Sequence, residues 1–550
     1  MKKIAIMLIV IIWILAACSG SQNIPGSQEN PTDTAAAPDP QDTPPSQESV
    51  SDATTSPPES GTDEQGSADD SDATIPHTLQ ESALFGLAWD DRSIFAGGLI
   101  PEEQFILDEL PGATMYRIDM QIPDDLLNIQ GEEEVLYTNR EDDTLDELYF
   151  RLFPNIEGGV AEVSNVTVDG EKVDISIESG DSALVVYLKD TLQPGEDVLV
   201  QLDFSLEIPR EMGGNYGLFG YFDEVLVLDL FYPVIPVYDE NGWYKDVPPH
   251  DGDISYFDAS FYMVRVTAVE DLVLVASGVE VAREKDGDRQ VVTYAAGPAR
   301  DFYIAASEHF VSISEPMGDT IVNCYTFEEH REGQEIALSV ALGAFSVYGE
   351  RLGLYEYTEF DVISTPMLAL GIEYPGATGI TLDAFDPQAE IAGLPSQVIL
   401  ESTVAHEVGH HYFYNAVGND QVREAWLDEA VVQYITALYY LDSYGESAYQ
   451  SLRSSWLGRW DRVDRVEDPI GLHNSDYEEG HYSPIVYGRG PLFIETLASE
   501  MGQETFDAFL REYYQSHTWR IGTTEDFKNL AEEFCACDLT GLFEEWVYPK

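Results

Sequence analysis

The string His406-Glu407-Val408-Gly409-His410 is the sharpest chemical signal in the chain. On a helix its two histidines stand one turn apart on one face, so both imidazoles can reach a single zinc ion while Glu407 lies beside them without ligating. After eighteen intervening residues, Trp426-Leu427-Asp428-Glu429-Ala430 opens a second apolar-periodic segment, and Glu429 is the candidate third ligand. Two histidines and one glutamate leave a fourth position for water, the donor pattern of a catalytic rather than a structural zinc. One Zn2+ per chain is therefore expected. The bland alternative is a packed helix pair with buried polar residues and no metal. His411 adjoins the motif but is turned by about 100° around the helix, so a solvated place, or one behind the ligands, is expected for it. Cys535-Ala536-Cys537 has no histidine close in sequence and reads as structural rather than as a metal or redox pair.

Those side chains need a rigid helical frame, and the periodicity supplies one from about residue 312. Residues Gly333 to Leu352 carry apolar positions at three- and four-residue intervals, and helical patterns follow at 397–417, 427–443, 446–459, 489–501, 503–516 and 524–534. Before that point the pattern is two-residue alternation in short runs, from Tyr116 to Ile122 through Val198 to Ile208 and on to Asp301 to Ala306. Turn signals such as Asp169-Gly170 and Gln193-Pro194-Gly195 separate several of them. The expected organisation is α+β: a lead-in at 79–112 with helical patches at Glu81 to Trp89 and Glu102 to Leu110, a mostly antiparallel β domain at 113–311, and a mainly helical domain at 312–550.

With these residues in place, the sequence resembles the gluzincin zinc aminopeptidases of the alanyl aminopeptidase and leukotriene hydrolase type. Their pattern is HExxH, eighteen residues, then Glu in a W-L-N-E-G context; here Asp428 stands for Asn and Ala430 for Gly. Leu370-Gly371-Ile372-Glu373-Tyr374-Pro375-Gly376 sits where that family has its GxMEN loop, and Tyr482 to Gly490 resembles its Y-x-K-G segment, with Tyr487 as the tyrosine and Arg489 for the lysine. Leu148 to Asn155, Phe231-Tyr232-Pro233 with Val237 to Trp243, and Gly541 to Trp546 extend the likeness over about 113 to 550. The resemblance implies a saddle-like N-terminal β domain and a thermolysin-like catalytic domain. It also implies metal-assisted hydrolysis of peptides with a free N-terminus: Glu407 as general base, Tyr487 on the developing oxyanion, and Glu373 binding the α-ammonium group. Two other readings stay open, a zinc endopeptidase with the same centre and a non-enzymatic binding protein that has kept the fold.

The N-terminus speaks to place. Lys2 and Lys3 precede an apolar run to Ala17 that is too short to span a bilayer, so residues 1–17 read as a signal peptide. Leu15-Ala16-Ala17-Cys18 resembles a bacterial lipobox, which makes Cys18 the expected lipidation site and places the protein outside the cytoplasm, tethered to the bacterial cell membrane through lipid alone. A plain secretory cleavage near Ala17 is the alternative. Residues 18–78 are rich in Ser, Thr, Pro and acidic side chains, with no Lys or Arg, and read as an extended spacer. The whole chain sets 27 Lys and Arg against 101 Asp and Glu, a net charge of -74. That balance excludes the usual electrostatic route to nucleic acid or to anionic lipid.

Overall fold

The computed structural model describes residues 84–212, 216–249 and 252–549. The signal peptide at 1–17, Cys18, the spacer at 18–78 and the first residues of the lead-in lie outside the described residues. A β-rich N-terminal part is followed by a helical part that carries its own five-stranded sheet.

The alternating runs become strands because each buries one face. An eight-stranded sheet runs in the order 279–286, 289–299, 260–269, 115–121, 128–138, 197–207, 160–168 and 171–172. All its pairings are antiparallel except one, where Met115–Gln121 runs parallel to Ser260–Val269 with Ile118 opposite Val264. In Asp197–Glu207 the inward set Val198, Val200, Leu202, Phe204 and Leu206 is buried, the period of two expected of a half-buried strand. A four-stranded sheet (273–276, 304–307, 225–228, 219–222), a three-stranded one (145–151, 183–192, 175–178) and a two-stranded one (238–239, 242–243) complete the β-rich part.

The lead-in departs from its helical patterns. Residues 84–89 form turns, and only Ile106–Glu109 is α-helical within the second patch. The Arg117 guanidinium accepts no helix there: it donates to the carbonyls of Phe85 (2.8 Å) and Leu87 (2.7 Å), oxygens that a helix would have used for its own ladder.

In the helical part, α1 (Arg331–Arg351) lies against α2 (Ser396–Gly409), and α3 (Glu429–Tyr444), α4 (Glu446–Trp460), α5 (Gly490–Met501), α6 (Gln503–His517) and α7 (Thr524–Cys535) follow. The helix expected over 397–417 stops at Gly409. Asn415, Ala416 and Val417 then donate to the carbonyls of His410, His411 and Tyr412, a wider turn than an α-helix makes. Buried Arg300, at the end of strand 289–299, holds that turn by donating to the carbonyls of Asn415 and Ala416. The same side chain thereby ties the β-rich part to the segment after the HEVGH motif. Fully buried Trp426 packs edge-on against Phe493, Phe527 and Phe543 and donates to Thr524 Oγ1 at 3.1 Å, which fixes the start of α3 to the C-terminal helices.

Cys535 and Cys537 are joined in a disulfide across Ala536. Cys324 is a buried free thiol. Among the described residues no helix is long and apolar enough to cross a membrane.

Candidate metal centre

Three elements converge on one cavity. His406 in the last turn of α2 and His410 at its C-cap stand four residues apart on one face, with Glu407 next to them. α2 comes close to α3 because position 409 has no side chain: a Cβ there would lie 2.8 Å from Val432 Cγ1 and 3.2 Å from Ile435 Cδ1. The N-terminus of α3 then presents Glu429. Asp428 caps that helix by accepting the Glu429 amide at 2.7 Å.

The three candidate ligand atoms stand close to one another. His406 Nε2 is 3.1 Å from His410 Nε2 and 3.2 Å from Glu429 Oε2, and His410 Nε2 is 3.6 Å from Glu429 Oε2. Zinc bonds to N and O of about 2.0–2.1 Å in a tetrahedron require ligand edges of about 3.3 Å, so this triangle fits the ion. The donor chemistry agrees. His410 donates through Nδ1 to the Phe413 carbonyl at 3.2 Å, which aims Nε2 at the triad. Burial opposes charge on His410, yet Glu373 and Glu429 hold its pKa well above the usual range, and a metal there would displace that proton. Burial pulls His406 down to a pKa of about 4, keeping it neutral. Burial works against charge on Glu429, yet hydrogen bonds from His406 and His410 hold it well below the usual carboxylate range. His406 Nδ1 faces the side-chain amide of Gln433 at 3.3 Å, one turn along α3 from Glu429. Once Nε2 ligates, Nδ1 carries the proton and the Gln433 amide must turn its oxygen toward it.

Glu407 and Glu373 line the same cavity. Glu407 Oε2 is buried and has no hydrogen-bond partner, so it is free toward a water in the cavity. Burial raises the Glu407 pKa well above the usual range, with Glu373 and Glu429 adding to the effect and His410 opposing it. Glu373 lies on the edge strand Gly371–Tyr374, paired antiparallel with Ala377–Thr381. The strands are joined by Pro375-Gly376, where Gly376 has φ +78°, the left-handed position that follows proline in a type II turn. Glu373 is buried, its pKa is raised chiefly by burial, and its Oε1 accepts from Gln421 Nε2 at 2.8 Å. The same Gln421 nitrogen donates to Asp428 Oδ2 at 2.9 Å, linking the edge strand to the cap of α3.

Tyr487 sits in a single wide π-type turn, Ile485–Arg489, a deviation that aims a side chain out of helical register. Its hydroxyl donates to Glu429 Oε1, and the Arg459 guanidinium lies 5.1 Å from its ring. Asp253, from the loop before strand 260–269, also lines the cavity, and burial first, then Glu373 and Glu429, raises its pKa well above the usual range.

All five positions singled out by sequence in this region, His406, Glu407, His410, Glu429 and Tyr487, together with Glu373, thus face one cavity. Two neighbours are placed otherwise. His411 is neither solvated nor behind the ligands: it is 1% exposed among Phe345, Tyr355 and Phe360, and burial pulls its pKa down to about 3. The helix ends two residues earlier, so the turn carries His411 into the aromatic core. Arg489 donates to the carbonyls of Asp468, Glu545 and Trp546, away from the cavity, and serves to hold the C-terminus. Gln421, Gln433 and Asp253 were not found from sequence. Gln433 had a signal, four residues after Glu429 on one face; Gln421 and Asp253 come from loops and had none.

Residues 336–546 match the peptidase family M1 domain. Similar proteins include a probable aminopeptidase 2 of Sulfurisphaera tokodaii, 23% identical over 296 residues that cover 52% of this chain and 38% of the relative. Aminopeptidase 2 of Candida albicans is 21% identical over 401 residues, covering 70% of this chain and 42% of the relative. The chain thus spans less than half the length of these relatives. Among solved structures, an M1 zinc metallopeptidase from Deinococcus radiodurans aligns over 80% of this chain and 93% of its own, with a TM-score of 0.59 and 17% identity. A mutant form of that protein bound to a Tyr-Ser-Ala substrate aligns equally well, at 0.59 and 18% identity. The chain carries a peptidase family M1 domain at residues 336–546 and folds, β domain before helical domain, as the two-domain M1 zinc metallopeptidases do.

Proposed function

We propose that the protein is a zinc-dependent aminopeptidase that removes N-terminal residues from peptides outside the cytoplasm. The observation that carries this reading is the position of Glu373: a buried carboxyl on the wall of the cavity that holds the ligand triad, held by Gln421 and with His410 Nδ1 3.9 Å away as its ion-pair neighbour among the described residues. A peptide whose first carbonyl faces His406, His410 and Glu429 has its amino end beside Glu373, and that carboxylate supplies the charge an α-ammonium group needs.

Zinc, when held by His406, His410 and Glu429, polarises a carbonyl and brings the pKa of a bound water toward 7. Glu407, with Oε2 unpartnered in the cavity, would be placed to take a proton from the attacking water and to return it to the leaving amine. Tyr487, whose hydroxyl bonds Glu429 Oε1, would turn that hydrogen bond to the oxygen on which charge develops. Gln421 keeps Glu373 in place and ties it to the α3 cap, so amine recognition and ligand geometry share one support. Leu15-Ala16-Ala17-Cys18 supports lipid attachment at Cys18 and a site of action at the outer face of a bacterial membrane.

Hydrolysis of an aminoacyl reporter by the full chain, beside the same peptide N-acetylated, tests the reading. Cleavage of the free form alone, with Glu373→Gln raising KM at least tenfold, supports it. Equal cleavage of the acetylated form assigns endopeptidase chemistry instead.

A further inference from the structure

The cavity does not end at Glu373. A second chamber of about 260 Å³ shares Glu373, Ile372 and Asp253 with the first and continues into the β-rich part. Its lining includes two carboxyl groups the mechanism does not use, Glu157 and Asp229. Glu157 follows the turn at Phe153–Asn155, with its amide bonded to the Phe153 and Pro154 carbonyls. Asp229 follows strand Val225–Leu228, with its amide bonded to the Leu218 carbonyl. Each is 5% exposed, and Glu157 Oε2 has no hydrogen-bond partner although it is buried. Among the described residues no Lys, Arg or His lines the chamber.

Burying two carboxyls side by side without a cation is costly, and a native fold keeps such groups where a partner arrives. Burial, then Asp229, raises the Glu157 pKa well above the usual range; burial, then Asp301 and Glu373, does the same to Asp229. The rest of the lining is mostly apolar, with Ile156, Pro248, Ile254 and Tyr374, and is interrupted by Asp253, Ser255 and Gln421. A ligand that suits this chamber has an apolar stem and a cationic head. We propose that the chamber receives the side chain of the peptide's first residue, and that Glu157 and Asp229 select lysine or arginine there. The inference rests on the aminopeptidase reading: with the α-ammonium at Glu373, the first side chain departs beside the shared wall.

The test compares lysyl and norleucyl reporters, which differ by the cationic head at nearly equal stem length, on the zinc-loaded full chain. The expected kcat/KM ratio, lysyl over norleucyl, is at least tenfold at neutral pH, and Asp229→Asn or Glu157→Gln brings it toward one. Equal rates in the wild type, or a ratio that survives in both variants, overturns the proposal. If neither reporter is cleaved, the aminopeptidase reading fails and the chamber is judged by calorimetry with free L-lysine and L-norleucine. Tighter lysine binding that Asp229→Asn abolishes supports it, and equal binding overturns it. Should Asp229→Asn not fold, Glu157→Gln decides, since its Oε2 has no hydrogen bond to lose.

Discussion

Gly371→Ala is expected to disable the protein without touching a ligand. Gly371 opens the edge strand that carries Glu373, and a Cβ at this position would lie 2.7 Å from Glu407 Cδ and 2.6 Å from Thr403 Cγ2. Ordinary contact begins near 3.4 Å, and Glu407 Oε1 would lie nearer still than Cδ, so the Glu407 carboxyl must retreat by about 1 Å. Misplacing a reacting group by about 1 Å costs on the order of 10²-fold in rate. The expectation is therefore a fall in kcat approaching 10²-fold, about 2.7 kcal/mol of barrier. Overpacking of this size costs stability by about 1–3 kcal/mol, which leaves the chain folded. Steady-state kinetics with an aminoacyl reporter, zinc content and a melting curve give the three readouts. Gly458→Ala, in α4 with nothing within 4 Å of its Cβ, is the control. Full kcat in a folded, zinc-bound Gly371→Ala protein would refute the placement of Glu407 as the group that moves the proton; a rise in KM alone would mean that the strand, and with it Glu373, had yielded instead.

Three further outcomes follow from the geometry. Gln433→Leu removes the amide opposite His406 Nδ1 and should weaken zinc binding about 10- to 100-fold, read by competition with a chelating dye. Tyr487→Phe should lower kcat by about 10²–10³-fold with little change in KM, since the hydroxyl acts on charge that develops only during reaction; unchanged kcat would remove Tyr487 from the mechanism. Glu356 is buried, accepts the Tyr514 hydroxyl, and has a pKa pushed up to about 8, chiefly by burial. Below its ordinary value of 4.5 both folded and unfolded chains hold that proton. Between 4.5 and about 8 the unfolded chain releases it first, so stability falls as pH rises, by a total on the order of 5 kcal/mol at about 1.4 kcal/mol per unit. Glu356→Gln should melt higher than wild type at pH 8 and lose that advantage at pH 5; parallel melting profiles would contradict it.

Much of the catalytic frame was legible in the sequence because its signals are local. His406 and His410 share a face by helical spacing alone, and Glu429 follows after eighteen residues at the head of an apolar-periodic segment. What escaped is set by distant partners. The lead-in has helical periodicity at 84–89, but Arg117, thirty-two positions past Phe85, takes the carbonyls a helix needs. An ideal helix puts His411 in solvent or behind the ligands; the helix ends at Gly409, and Phe345 and Phe360 from α1 and a central strand enclose it. Gln421 reaches Glu373 across forty-eight positions, and Glu157 meets Asp229 only because strands fold them onto one chamber. No spacing rule reports such encounters.

The measurement that bears most directly on the central claim is zinc stoichiometry together with turnover on the full chain, before and after chelation. The account predicts one zinc per chain, loss of hydrolysis of a free-amine aminoacyl reporter on chelation, recovery on adding zinc back, and no cleavage of the N-acetylated form at any stage. Undiminished hydrolysis by the metal-free protein, or zinc that still binds with native affinity after Glu429→Ala, would contradict it.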